Sequence, residues 1–161
     1  MLSMGAKVVS YPTTFQISIP SDDSGYILLQ CEHCGTYFKI TASDIEDDGI
    51  LNLYCPSCGL ISEHYLTPDV IDLAETMVKN YAMDAVYNAF KNLERTTKHS
   101  SLQIKAGKKP RHERENPIRS GIEALEITDF KCCHRSAKIK PLIKITGCYC
   151  PFCGVKEYEV E

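Results

Sequence analysis

The sequence predicts an α+β fold in which two small β-domains are joined by a long amphipathic helix and a basic flexible linker. Three observations support this architecture. Cysteine pairs of the form Cys-x-x-Cys accompany short strand-like segments in both halves of the chain. Residues 68–96 carry no glycine and, after Pro68, no proline, which favours one long helix. A Lys/Arg-rich segment interrupted by Gly107, Pro110 and Pro117 follows that helix and indicates a linker.

The composition points to a metal-binding protein. The 161 residues are 43% hydrophobic and 24% charged, which excludes a collagen-like or wholly disordered chain. No segment approaches the roughly 20 consecutive apolar residues of a membrane span, and the first residues lack the apolar core of a secretory signal. Nine cysteines are the unusual feature, and in a chain without an export signal paired cysteines indicate metal rather than disulfides. We therefore expect a cytoplasmic protein with no membrane partner.

The first elements of the chain form an extension and a small sheet. Residues 1–25 are expected to be an N-terminal extension with a candidate strand at 7–11. Residues 26–66 are expected to form the first domain, with strand-like segments at 26–30, 37–40, 50–54 and 60–66. So small a sheet buries little apolar area and needs a cross-link to be stable.

That domain carries two cysteine turns, Cys31-Glu32-His33-Cys34-Gly35 and Cys55-Pro56-Ser57-Cys58-Gly59. Zinc takes four ligands in a tetrahedron, and a two-residue gap lets both thiolates of one turn reach a single ion. The glycine after each second cysteine permits a positive φ that directs backbone N–H groups at the sulfurs. Two such turns separated by a hairpin resemble the zinc ribbon family, which includes transcription factors and RNA polymerase subunits. The pattern predicts one structural zinc ion held by Cys31, Cys34, Cys55 and Cys58.

The segment 67–97 is predicted to be helical. Thr67 is a hydroxyl N-cap, Pro68 suits the first helical position, and Asp69 complements the helix dipole. Apolar residues recur at helical spacing along its length. The helix is either a central spacer against which both ends pack or a docking surface for a partner, including a homodimer through residues 68–96. Residues 98–120 are then expected to be an exposed, flexible, basic linker.

Residues 121–161 read as a second, degenerate copy of the first domain. Tyr149-Cys150-Pro151-Phe152-Cys153-Gly154 matches Tyr54-Cys55-Pro56-Ser57-Cys58-Gly59. Upstream, aligning Cys132 with Cys31 places Arg135 where Cys34 stands, and arginine does not bind zinc. The second site is therefore predicted to use Cys132, Cys150 and Cys153 with one of Cys133, His134 or Cys148. Two zinc ions per chain are expected; the alternative is a second unit that has lost its metal.

The charge distribution suggests two non-catalytic functions. Residues 1–90 carry 3 Lys/Arg against 12 Asp/Glu, whereas residues 91–120 carry 9 against 3, so the net charge of −3 hides a basic middle. The first hypothesis is a regulator that associates with nucleic acid, or with a complex bound to it, through the second ribbon and the linker. The candidate phosphate-binding residues are Lys105, Lys108, Lys109, Arg111, Lys138 and Lys140. The second hypothesis is a protein–protein adaptor that uses the long helix and both ribbons.

Catalysis is not expected. A thiol redox enzyme with a Cys-Pro-x-Cys motif needs that motif at a helix N-terminus, and here a glycine and strand-like residues follow it. A zinc site filled by four cysteines has no open position for a substrate. The sequence therefore predicts a zinc-binding protein that is not an enzyme.

Overall fold

The computed structural model describes residues 14–99, 101, 103–119, 121 and 124–158. The predicted strand at 7–11 lies outside these residues. The elements along the described chain are β1 (Tyr26–Gln30), β2 (Tyr37–Thr41), α1 (Ala42–Ile45), α2 (Pro68–Thr97), β3 (Glu126–Phe130), β4 (Arg135–Ile139), α3 (Pro141–Thr146), β5 (Cys148–Tyr149) and β6 (Lys156–Glu157). The fold is α+β, with one long helix between two small β regions, as predicted.

The two cysteine-rich regions share one sheet. Two antiparallel hairpins, β1–β2 and β3–β4, join through β2 and β4 into a four-stranded sheet of order β1-β2-β4-β3. Lys39 and Lys138 are the register partners at the junction. Apolar residues from both hairpins, among them Phe38, Ile40 and Ile139, enter a common core. An isolated two-stranded hairpin is marginally stable in water, so pairing the two hairpins gives each the apolar area it lacks alone.

Two predicted strands of the first region are irregular. Residues 50–54 and 60–66 follow β2 without joining the sheet. The buried side chain of Tyr65 satisfies their backbone instead: its hydroxyl lies 2.7 Å from the Leu53 carbonyl oxygen and accepts the Ser62 amide at 3.2 Å. Its ring packs edge-on against Phe38, with centroids 5.5 Å apart. Tyr65 thus ties the two segments together, and one backbone hydrogen bond, from the Gln30 amide to the Tyr65 carbonyl at 2.9 Å, ties them to β1.

Helix α2 has the predicted bounds and is largely exposed. Thr67 adopts the extended N-cap backbone, but its hydroxyl donates to Asp69 at 2.5 Å rather than capping an amide. Val70 and Asn80 are the buried residues of the helix, whereas Val86 and Phe90 are about half exposed. The interpretation of α2 as a spacer packed by both ends therefore does not describe most of its surface. None of the helices in the described segments combines the length and apolar character that crossing a lipid bilayer requires.

The predicted flexible linker runs back along α2. We call residues 103–119 the strap. The Asn80 amide fixes its middle, because Nδ2 donates to the Glu113 carbonyl at 3.0 Å and Oδ1 accepts the Glu113 amide at 2.8 Å. Nearer the start of the helix, the Arg119 amide donates to Asp69 at 2.9 Å. Most residues of this segment are exposed, as predicted, and polar side chains of α2 hydrogen-bond its backbone, which the prediction of a flexible linker did not include. Together α2 and the strap form what we call the arm.

Candidate metal centres

Centre 1 consists of the four cysteines predicted from the first pair of turns. The sulfurs of Cys31, Cys34, Cys55 and Cys58 all lie within 4.8 Å of one another. The Cys31–Cys58 sulfur distance is 3.8 Å, and the Cys34–Cys55 distance is 3.5 Å. A tetrahedral ion with metal–sulfur bonds of about 2.3 Å holds its sulfurs about 3.8 Å apart. These four side chains can therefore hold a metal ion with little movement.

Tight backbone turns aim the sulfurs of centre 1 inward. Gly35 and Gly59 have φ of 69° and 72°, and their amides donate to the carbonyls of Cys31 and Cys55, both at 2.8 Å. The turn also shapes the chemistry of the thiols. Burial acts to raise the pKa of Cys34, but hydrogen bonds with the Thr36 hydroxyl and amide outweigh it and lower that pKa to about 6. These bonds favour the thiolate of Cys34, the form that binds metal, whereas burial raises the pKa values of Cys55 and Cys58.

Centre 2 assembles Cys132, Cys133, Cys150 and Cys153, whose sulfurs also lie within 4.8 Å of one another. Of the three candidates for the fourth position, the structure brings Cys133 to the cluster. His134 and Cys148 stay outside it; Cys148 is buried in β5, where it pairs with Glu157. The Glu157 carboxylate accepts the Cys132 amide at 2.9 Å and so fixes the turn that carries two of the four sulfurs.

The structure corrects the sequence alignment of the two turns. The β1–β2 turn spans residues 31–36, whereas the β3–β4 turn spans only 131–134. His134 has φ of 53° and donates its amide to the Phe130 carbonyl at 2.9 Å, as Gly35 does to Cys31. Cys133 is therefore the counterpart of Cys34, and Arg135 is not. The signal in the sequence was the match of Phe38-Lys39-Ile40 with Ala137-Lys138-Ile139, which places the strands in register and leaves a shorter turn.

The second cysteine turns of the two centres pack against each other reciprocally. The Tyr54 amide donates to the Pro151 carbonyl, and the Tyr149 amide donates to the Pro56 carbonyl, both at 2.9 Å. Each tyrosine ring also lies on the glycine of the opposite turn. A Cβ atom on Gly154 would meet the Tyr54 ring at 2.8 Å, and one on Gly59 would meet the Tyr149 ring at the same distance. This is the self-complementary contact of a twofold dimer, built within one chain.

Arg135 joins the two regions electrostatically. Its guanidinium donates to Asp44 at 2.6 Å and to Asp47 at 2.5 Å, and it lies over the Phe152 ring with 5.6 Å to the centroid. The hydrogen bonds from Arg135 and the Gly49 amide hold the pKa of Asp47 below its usual range. Sequence reasoning missed this role, since Asp44 and Asp47 lie 91 and 88 positions from Arg135 in the chain.

Some of the predicted phosphate-binding residues already have anionic partners. Asp22 accepts from Lys138 at 2.8 Å and from Lys39 at 3.1 Å, and so offsets one of the two positive charges at the sheet junction. Lys109 pairs with Asp84 at 3.0 Å. Lys140 lies over the Tyr37 ring, 5.9 Å from its centroid. Lys109 is exposed despite its ion pair with Asp84, as are Lys105, Lys108 and Arg111 on the same strap.

The site chemistry follows from the residues of this chain. Neither a protein-family model, nor a curated protein, nor a solved structure matches it. Each centre provides four sulfurs in a compact cluster, and no disulfide joins any of the nine cysteines. Tetrahedral sites of four thiolates select Zn²⁺ or iron–sulfur chemistry, and a site with four protein ligands has no position for a substrate.

Proposed function

We propose that this chain is a non-catalytic, zinc-binding adaptor of zinc-ribbon type. Each four-cysteine centre holds one structural Zn²⁺, and the arm binds a protein partner. The observation that carries the proposal is the pair of closed four-cysteine clusters packed against each other beside a long helix with an exposed apolar surface. A reducing compartment such as the cytoplasm would keep the nine thiols available for metal.

The two centres support a structural role for the metal. When bound, zinc cross-links the turns of each centre and offsets half of the negative charge of four thiolates. The four-stranded sheet is small, and its two hairpins need each other to form a hydrophobic core. In domains of this size the free energy of metal binding contributes directly to the free energy of folding. The zinc ions therefore hold together the body from which the arm begins.

The arm supports a role in docking. Exposed apolar side chains on α2 include Val86, Phe90 and Leu93, each between 45% and 56% accessible to solvent. Isolated exposed apolar residues are ordinary, but several on one helix mark an interaction surface. The strap is hydrogen-bonded to the helix through Asn80 and Asp69 and leaves these apolar side chains about half exposed. They are thus available to a partner.

Native mass spectrometry tests the metal assignment. We expect two zinc ions per chain under gentle conditions, distinguished from iron by mass. Cys133→Ser should bind one ion, whereas Cys148→Ser and His134→Gly should keep two, because neither residue belongs to a cluster. Cys148→Ser is the matched control, since it makes the same change at a buried cysteine of the same region. A loss of zinc on Cys148→Ser with full retention on Cys133→Ser would contradict the assignment.

Nucleic-acid association is the second candidate, favoured by the exposed Lys105, Lys108 and Arg111 on the strap. Three phosphate contacts predict that affinity for a labelled oligonucleotide falls about 40-fold between 50 and 200 mM salt. Changing the three residues to Ala should then abolish binding. An adaptor behaves differently. Affinity capture from cells should recover partner proteins that still bind the triple alanine variant but no longer bind Phe90→Glu. Salt-sensitive oligonucleotide binding together with partner capture indifferent to Phe90→Glu would favour the nucleic-acid function.

A further inference from the structure

A groove runs along the arm between α2 and the strap. Its volume is about 530 Å³, within the range of about 300–1,000 Å³ typical of ligand sites. The helix side of the groove is formed by Ala82, Met83, Val86, Tyr87 and Phe90, and the strap side by residues 105–108 and Pro110. The floor is therefore apolar, and both charged residues of the lining, Lys105 and Lys108, are basic.

The basic character continues beyond the groove. A neighbouring depression shares Lys105 and is lined also by Lys91, Arg95 and Lys98, with Glu94 as its one acidic residue. A row of cations thus borders an apolar trough at the end of the arm. Val86 and Phe90 remain 56% and 49% exposed, so the strap covers the trough only in part. An occupant that buries these side chains must carry apolar groups, and one that meets the cations must carry acids.

We propose that the groove binds an acidic peptide segment of a partner protein, with large apolar side chains that insert between Val86, Phe90 and the strap. The inference rests on the proposed docking role of the arm and names the chemistry of the partner. Charge complementarity selects this occupant. Residues 1–13 of the chain itself contain no Asp or Glu, so they do not match the cationic border. The phosphates of a nucleic acid would meet the cations, but the aliphatic part of the floor, Ala82, Met83 and Val86, offers its bases no ring to stack on.

This mode of recognition divides affinity and selectivity between the two parts of the groove. Burial of the apolar anchors provides most of the affinity, as in other grooves that accept a short amphipathic segment. Lys105 and Lys108 speed the encounter with acidic segments and disfavour basic ones. Part of the binding should therefore weaken with salt, while the contribution of the apolar floor should persist.

A random library of 16-residue peptides displayed on phage and selected on the zinc-loaded full chain tests the proposal. We expect the enriched peptides to combine Asp or Glu with two or more large apolar residues. Val86→Glu should weaken their binding by about tenfold or more, because it places an anion on the apolar floor. Val78→Glu is the matched control: it makes the same change at a similarly exposed valine of α2 that does not line the groove. Both variants should keep two zinc ions and the far-UV circular dichroism of the wild type.

A second variant tests the charge requirement. The double change Lys105→Glu and Lys108→Glu should weaken the selected acidic peptides by about tenfold or more at low salt. Selection of neutral or basic peptides, or binding that Val86→Glu leaves unchanged, would overturn the groove assignment. A dimer in light scattering that Val86→Glu dissociates would overturn it as well, since a second copy would then be the occupant. If Val78→Glu abolished peptide binding and Val86→Glu did not, the groove assignment would be refuted but the arm would remain a docking element. If no peptide that binds the arm were enriched, both the groove assignment and the docking role of the arm would be refuted.

Discussion

Gly154 and Tyr54 meet where the two metal centres pack together, and this contact makes a quantitative prediction. Gly154 has φ of 74°, and a Cβ atom there would lie 2.8 Å from two carbons of the Tyr54 ring. Gly154→Ala therefore combines two penalties. The left-handed backbone costs about 1–2 kcal/mol for a residue with a Cβ. Overpacking of a well-filled contact costs about 1–3 kcal/mol more, because the ring is held by the packing around both turns.

Gly25→Ala separates the two penalties. Gly25 has φ of 81°, and a Cβ atom there meets nothing within 4 Å. The two substitutions share the backbone cost and the effect of alanine on the unfolded chain. The Gly154→Ala variant should therefore be less stable than the Gly25→Ala variant by about 1–3 kcal/mol, which is the overpacking penalty without the backbone penalty. For a chain of this size each kcal/mol lowers the melting temperature by about 2–4 °C.

The assay is thermal unfolding of the zinc-loaded protein at fixed zinc and protein concentration, followed by circular dichroism. Adding Tyr54→Ala removes the ring that opposes the new methyl group. In the Tyr54→Ala background, Gly154→Ala should lower stability only about as much as Gly25→Ala does. The double-mutant cycle of Tyr54→Ala and Gly154→Ala should therefore show a favourable coupling energy. Equal melting temperatures for Gly154→Ala and Gly25→Ala would refute the packing of the two centres described above. A cycle without coupling would refute it too.

Three further predictions follow from the same contacts. Asp22→Asn should destabilise the protein by about 3 kcal/mol, because it leaves Lys39 and Lys138 facing each other, partly buried, without an anion. Burial alone would raise the pKa of Asp22, but hydrogen bonds from Lys138, the Tyr26 amide and Lys39 hold it below the ordinary value of 3.8. The contribution of this carboxylate is thus complete above that value and is lost only as pH falls below it. The difference in melting temperature between the wild type and Asp22→Asn should therefore stay constant between pH 8 and 6, and a difference that disappears at pH 6 would contradict this reasoning. Adding Lys138→Met to Asp22→Asn should restore part of the lost stability. Arg135→Lys should destabilise the protein in a manner that diminishes with added salt, because lysine cannot reach Asp44 and Asp47 as two separate donors; unchanged stability in denaturant titration would show that the guanidinium geometry is irrelevant. Cys133→Ser should make the zinc of centre 1 easier to remove in a titration with a competing chelator, since the two centres pack reciprocally; an unchanged competition curve would mean that they bind metal independently.

The sequence predicted the features of this protein that depend on residues close together in the chain. The four cysteines of centre 1 were found because a two-residue gap and a following glycine define a turn on their own. The bounds of α2 were found within one residue, because Pro68 and the absence of later breakers act locally. The α+β class followed from these two kinds of element.

The tertiary structure decided the features that join residues far apart. Arg135 lies 91 and 88 positions from Asp44 and Asp47, and nothing near it in the chain indicates those partners. The strap was predicted to be an exposed, flexible linker because its composition is polar, and only the structure shows that Asn80 binds the backbone of Glu113, 33 positions away.

The identity of the fourth sulfur in centre 2 was also decided by the folded chain. Cys133 joins the cluster because the β3–β4 register, with Phe130 opposite Arg135, leaves a turn of only residues 131–134. Cysteine spacing can be read directly from a sequence, because the two ligands of one turn are neighbours in the chain. The pairing of the two hairpins through β2 and β4 is set instead by the core that they bury together, and that core exists only once the chain has folded.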